Sequence, residues 1–194
     1  AVTEKADYYD AISLGRRLAA LPGYTAEGGA KNVGRRDGMG TALLAGVDCI
    51  GRIPDHYFQA VGSGTGGIAA WEMSRRLRED TRFGSTSMHL HLSQSIPFTP
   101  MVDAWRQGSR TLFPMDEQEQ KTRIQAIHSH VLSNRNPPYS IVGGVYDALY
   151  DSQGAMYAVS NQEAERAGAI FQQEEGCDLD PAAEVALASL FQAV

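Results

Sequence analysis

Six residues, Gly62-Ser-Gly-Thr-Gly-Gly67, stand between a short aromatic run and an apolar one, and they carry the clearest chemistry in this sequence. A strand that runs through glycines into a helix turns several backbone N–H groups toward one point, and glycine lets that backbone approach a ligand closely. The start of the helix adds partial positive charge at the same place. A phosphate suits such a nest, and the hydroxyls of Ser63 and Thr65 add donors. Ile68 opens the helical run that follows. The nucleotide P-loop ends in Gly-Lys-Ser/Thr, and no lysine stands next to Gly67, so that reading fails. The spacing Gly62-x-Gly64-x-x-Gly67 satisfies the dinucleotide fingerprint, but Glu79 and Asp80 fall too early for the acidic residue it requires. A tight strand-to-helix turn with no ligand is the plain alternative.

Other residues could do chemistry around that turn. Arg35 and Arg36 form a local basic pair whose guanidinium forks match phosphate and sulfonate oxygens. Salt bridges to Asp37 or Glu27 are the competing use of them. His89, Ser93 and Gln94 fall near a strand end, where open α/β sheets place ligands, although packing would explain them equally well. The pairs His89-x-His91 and His128-x-His130 have metal-ligand spacing, but neither a cysteine nor a second cluster completes a site, so no metal is expected.

The elements that must position these groups follow from the pattern of apolar residues. Helical spacing covers Asp7 to Leu21 and stops at Pro22-Gly23. Tyr24 to Gly40 is rich in glycine and arginine and reads as a structured loop, with a helix resuming over Gly38 to Val47. Strands are expected at Asp55–Val61, Ser87–Leu92 and Ala155–Val159. Helices are expected at Ile68–Arg78, Pro100–Gln107, Met115–Leu132, Val145–Tyr150 and Ala182–Val194. Ser160-Asn-Gln-Glu163 is a capping box that opens a further helix ending at Gly176. Trp71 and Trp105 read as core. Strands alternating with helices give an α/β fold, three layers in αβα order around a mostly parallel sheet.

Composition narrows the classes. The 194 residues are 43% hydrophobic and 21% charged, enough to bury one domain, or one domain and part of a second. A net charge of -6 argues against a nucleic-acid partner. No apolar run is long enough to span a bilayer, so no membrane is expected. Cys49 and Cys177, far apart and without a ligand pattern, read as reduced thiols of a cytoplasmic protein.

The segment Gly64-Thr-Gly-Gly-Ile68 resembles the phosphate-gripping loop of the fold type II pyridoxal-phosphate enzymes, the tryptophan synthase β family. Further segments agree in order. Asp7-Tyr-Tyr-Asp-Ala11 resembles the helix before that family's domain crossover. Glu27 to Val33 sits where threonine synthases carry an Asn-Pro-x-Arg-x-x-Gly segment, and Gly176 to Ala183 resembles their late Glu-Pro-Ala motif. Gly34-Arg-Arg-Asp-Gly-Met-Gly40, Phe58 to Trp71 and His89-Leu-His-Leu-Ser-Gln94 most resemble the cysteate synthase branch.

The resemblance implies pyridoxal phosphate as cofactor, gripped by Ser63, Gly64, Thr65, Gly66, Gly67 and Ile68. It implies a homodimer that converts O-phospho-L-serine and sulfite to L-cysteate, with Asn32, Arg35, Arg36, His89 and Gln94 on the substrate. Glu184, in the late motif, would either approach the cofactor or cap a helix. Residues 1–45 would be the end of a small domain and its crossover, and 46–194 the large cofactor-binding domain. The family's covalently bound lysine precedes the glycine loop. Lys5 and Lys31 precede it here, but neither lies in the expected setting, so no catalytic lysine is assigned. The expectation is a chain cut at both ends relative to the full enzyme and inactive alone. Threonine synthase acting on phosphohomoserine, a non-catalytic phosphate-binding domain and a nicotinamide-dependent reductase stay open as alternatives.

Overall fold

The structure, a computed structural model, describes residues 6 and 8–194; the expectations placed on Lys5 and Asp7 lie outside the described residues. Three parallel strands, β1 (His56–Ala60), β2 (His89–Ser95) and β3 (Ala155–Val159), form one sheet in the order β1-β2-β3. Their side chains alternate between two faces. Leu90, Leu92 and Met156 point into a core built with α3 (Thr65–Asp80), α4 (Pro100–Arg106) and α6 (Val145–Asp151). Ala60, Tyr157 and Val159 meet α7 (Asn161–Glu175) and α8 (Pro181–Ala193) on the opposite face. Helices on both faces of a parallel sheet are the expected αβα arrangement. Trp71 is buried, with its indole N–H on Asp151 at 2.7 Å, and Trp105 packs half-buried at the edge of the same core.

Two expectations are corrected. α2 (Val33–Ile50) begins inside the segment read as a loop and runs unbroken through residues 40–48. Its glycines lower helix propensity, but packing on α3 offsets that. A Cβ on Gly40 would lie 3.1 Å from Met73 and 3.3 Å from the Ala69 carbonyl, so glycine permits the close crossing. Arg36–Glu72 and Arg76–Asp37, each at 2.8 Å, tie the two helices together. The helix expected over Met115–Leu132 is shorter, α5 (Glu117–Gln125). The Asn161 amide donates to the Ala126 carbonyl at 2.8 Å and accepts from the His128 N–H at 2.9 Å, which ends the helix and turns the chain. The first helix, α1 (Tyr8–Ala19), has no buried residue.

The capping box forms as read: Ser160 and Glu163 exchange side-chain to backbone bonds, and Gly176 ends α7 in the left-handed conformation. On the α8-facing side of the sheet, His56 and His91 ring nitrogens lie 3.0 Å apart, and His91 reaches the Tyr157 hydroxyl at 2.8 Å. Burial, then the nearby His56 and His89, push His91 down to about 4. A neutral folded His91 opposes an unfolded one that protonates near its ordinary value of 6.5. The fold therefore loses stability progressively as pH falls from about 6.5 toward 4.

Two stability measurements check this. Urea denaturation of Ser160→Ala should show a loss of about 1 kcal/mol. Repeated at several pH values, His91→Gln should flatten the decline between pH 6.5 and 4; an unchanged slope would assign the acid sensitivity elsewhere.

The glycine turn as a candidate cofactor site

The turn sits where β1 hands over to α3. Gly64, the residue before the helix, has φ +78°, a left-handed conformation that favours glycine. A Cβ there would come within 2.3 Å of Val145 Cγ2, one on Gly66 within 2.3 Å of Gln59 Nε2, and one on Gly67 within 2.8 Å of Leu92 Cδ2. The three glycines thus let α3 start pressed against α6, β1 and β2. The N–H groups of the first turn have no acceptor within the helix. Thr65 is buried, at 2% exposure, and its hydroxyl lies 3.0 Å from that of Ser63. Ile68 differs from its neighbours: its N–H already donates to the Gly64 carbonyl at 3.0 Å, and its side chain belongs to the core.

Ser63 and Thr65 open onto a cleft of about 750 Å³. Its other walls come from α1 (Tyr8, Tyr9), from the 24–31 segment, from Arg35 at the start of α2, and from the 134–141 loop (Asn134, Asn136). A smaller hollow of about 170 Å³ lies beside Gln59 and Gly66. Asn134 and Asn136 belong to no recognisable motif; the adjacent Pro137-Pro138 is the sequence signal that marks their loop. Gln59 likewise carries no motif of its own, only its place on the strand that enters the turn.

The expected substrate residues separate into distinct settings. Arg35 lines the cleft and pairs with Glu27 at 2.9 Å. Arg36 is held by Glu72 at 2.8 Å and by the Ala30 carbonyl, so its guanidinium serves the α2–α3 contact. Asn32 caps α2, accepting from the Arg35 N–H at 3.3 Å and donating to the Glu27 carbonyl at 2.7 Å. His89 reaches the Ser152 carbonyl at 3.0 Å on the sheet face. Gln94 is buried and accepts from the Met101 and Val102 N–H groups at 2.8 and 3.2 Å, anchoring α4. Glu184 bonds to His128, and its carboxylate fills the space a Cβ on Gly168 would need. Lys31 lines the cleft from a short 3-10 turn. No group of three or more metal-ligating side chains occurs among the described residues.

A left-handed glycine, clustered N–H donors and two hydroxyls match what a phosphate ester requires. The family model described as pyridoxal-phosphate dependent enzyme matches residues 1–194. The chain belongs to that family. It is 57% identical over 189 residues to the cysteate synthase of Methanosarcina acetivorans, covering 97% of this chain and 45% of that protein. To the cysteate synthase of Methanoculleus marisnigri it is 54% identical over 193 residues, 99% of this chain and 45% of that one. The chain therefore spans about half the length of the curated relatives it matches. Among solved structures, maize serine racemase superposes with a TM-score of 0.68 at 10% identity, over 97% of this chain and 54% of that one. A threonine deaminase from T.th. gives 0.54 at 13% identity, over 81% and 50%. These two likenesses support the fold alone. A phosphate seated at the turn would meet the Ser63 and Thr65 hydroxyls, with the Gly66 backbone on the adjoining smaller hollow.

Gly64→Ala should cost about 1–3 kcal/mol of stability, because it combines left-handed strain with a β-branched neighbour. Gly66→Ala should cost less, because the Gln59 amide it meets is the end of a flexible chain. Chemical denaturation of the pair checks the order, and equal losses would contradict the packing account.

Proposed function

We propose that the chain serves a pyridoxal-phosphate-dependent replacement at the β-carbon of an amino acid, taking O-phospho-L-serine and sulfite to L-cysteate and phosphate. The observation that carries the reading is that Ser63 and Thr65 of the glycine turn line the same cleft as Arg35. The relatives named cysteate synthase, 51–57% identical across nearly all of this chain, support the product. Cys49 and Cys177 are exposed free thiols, which supports a reducing compartment such as the cytoplasm. No helix among the described residues is long and apolar enough to cross a membrane.

When bound, pyridoxal phosphate supplies an electron sink for the amino acid's α-carbon. The chain's own part is to bind and orient. Ser63, Thr65 and the first-turn N–H groups fix the cofactor's phosphate end, using partial charges already aligned by α3. Both the departing and the entering group of this reaction are oxyanions. Arg35 is the arginine on the cleft wall nearest in sequence to the cap of α2, and its guanidinium offers such a group a charged two-pronged donor. Arg36 takes no part in that binding; by clamping α2 to α3 it sets where Arg35 stands relative to the turn.

Full-length protein supplied with phosphoserine and sulfite should release cysteate and phosphate, and phosphohomoserine should be a poor substrate. Arg35→Ala should raise KM for phosphoserine roughly 10- to 100-fold, the worth of a hydrogen bond to a charged group. Preferential turnover of phosphohomoserine would replace this reading with threonine synthesis, and an unchanged KM would remove Arg35 from it.

A further inference from the structure

The 27–32 segment and Arg35, in the first turn of α2, already hold an anion. Glu27 Oε2 accepts from the Gly29 N–H at 2.9 Å and from Arg35 at 2.9 Å, and its other oxygen accepts from the Asn32 amide at 3.3 Å. Gly28 and Gly29, with φ of +93° and +57°, turn the backbone donor inward. These donors hold the Glu27 carboxyl below the usual carboxylate range, the Gly29 N–H foremost and Arg35 with it. Three donors of different kinds thus converge on one carboxylate, in the manner an external oxyanion would need. Both partners are open to solvent, with side-chain exposures of 39% for Arg35 and 56% for Glu27. Glu27, Gly29 and Arg35 line the same cleft as Ser63 and Thr65. An exposed ion pair is a weak one, so a more highly charged group can displace it.

We infer that Glu27 is an internal competitor: its carboxylate occupies the oxyanion seat on Arg35 until the substrate's phosphate or the incoming sulfite displaces it. The inference rests on the proposed role of Arg35 toward an oxyanion and adds the residue that sets its affinity. Glu27 keeps the seat ordered in the empty cleft and moderates how tightly released phosphate is retained. It makes no contact with reacting atoms.

The test is titration calorimetry on full-length protein loaded with pyridoxal phosphate, so that the glycine turn is filled. Inorganic phosphate and sulfite are titrated separately into the wild type, Glu27→Gln, Glu27→Ala, Arg35→Ala and the Glu27→Gln/Arg35→Ala double variant. Glutamine retains an acceptor for the Gly29 N–H, so it isolates the charge, and alanine shows whether the loop bond matters. Both Glu27 variants should bind at least one oxyanion about two- to fivefold more tightly, the range of an exposed ion pair. Arg35→Ala should weaken that binding in either background. A gain confined to phosphate places the leaving group at Arg35, and a gain confined to sulfite places the nucleophile there. Unchanged or weaker binding in Glu27→Gln, with Arg35→Ala still harmful, would overturn the competitor role and leave Arg35 standing. Binding that ignores Arg35→Ala would overturn both.

Discussion

Backbone proximity at one turn governs this structure. α3 begins so close to β1, β2 and α6 that a Cβ on Gly64, Gly66 or Gly67 would stand 2.3 to 2.8 Å from the side chains of Val145, Gln59 or Leu92, and only the Gln59 amide could easily give way. Interiors packed at this density admit no slack, so the helix axis and its first N–H groups are fixed by their neighbours. A donor cluster held this rigidly needs little reorganisation to receive a phosphate, which is what electrostatic preorganisation requires. The same contacts feed the main core, because Ile68 and Trp71 of α3 pack with Leu90, Leu92 and Leu149.

A second helix, α2, brings Arg35 to the lining of the same cleft. α2 lies close on α3 through Gly40 and is cross-linked by Arg36–Glu72 and Arg76–Asp37. Adjacent arginines consequently have different jobs. Arg36 is turned into the helix contact and satisfied there, while Arg35, next to the Asn32 cap, faces the cleft with Glu27. Sequence distance could not separate them, because a helix places successive residues about 100° apart around its axis.

Much of the fold was legible where local chemistry decides local structure. Ala155–Val159, the Ser160–Glu163 capping box and the stop at Gly176 depend on residues within a few positions of one another. The turn at Gly62–Gly67 was legible from its run of glycines, although the neighbours that require them, Leu92 and Val145, are distant in sequence. α2 was not, because its glycines lower its intrinsic propensity and its stability comes from α3, more than twenty residues away. The early end of α5 was hidden likewise, since Asn161 supplies the capping from another helix. At the site, residue types were readable but partners were not. Gln94 and Asn32 carry polar groups suited to a substrate, yet the structure uses them to anchor α4 and to cap α2. The resemblance to pyridoxal-phosphate enzymes rests on the turn together with segments on either side of it along the chain, from Asp7–Ala11 to Gly176–Ala183.

The claim that the turn grips a phosphate is tested most directly by comparing pyridoxal phosphate with pyridoxal. Absorbance titration of full-length wild-type protein and Thr65→Val would measure the affinity of each for both compounds. The account predicts that the wild type binds the phosphorylated form at least about tenfold more tightly, the worth of one charge-assisted hydrogen bond. Thr65→Val should shrink that gap and leave pyridoxal binding unchanged. Equal affinity for the two compounds, or a gap that Thr65→Val does not alter, would contradict it.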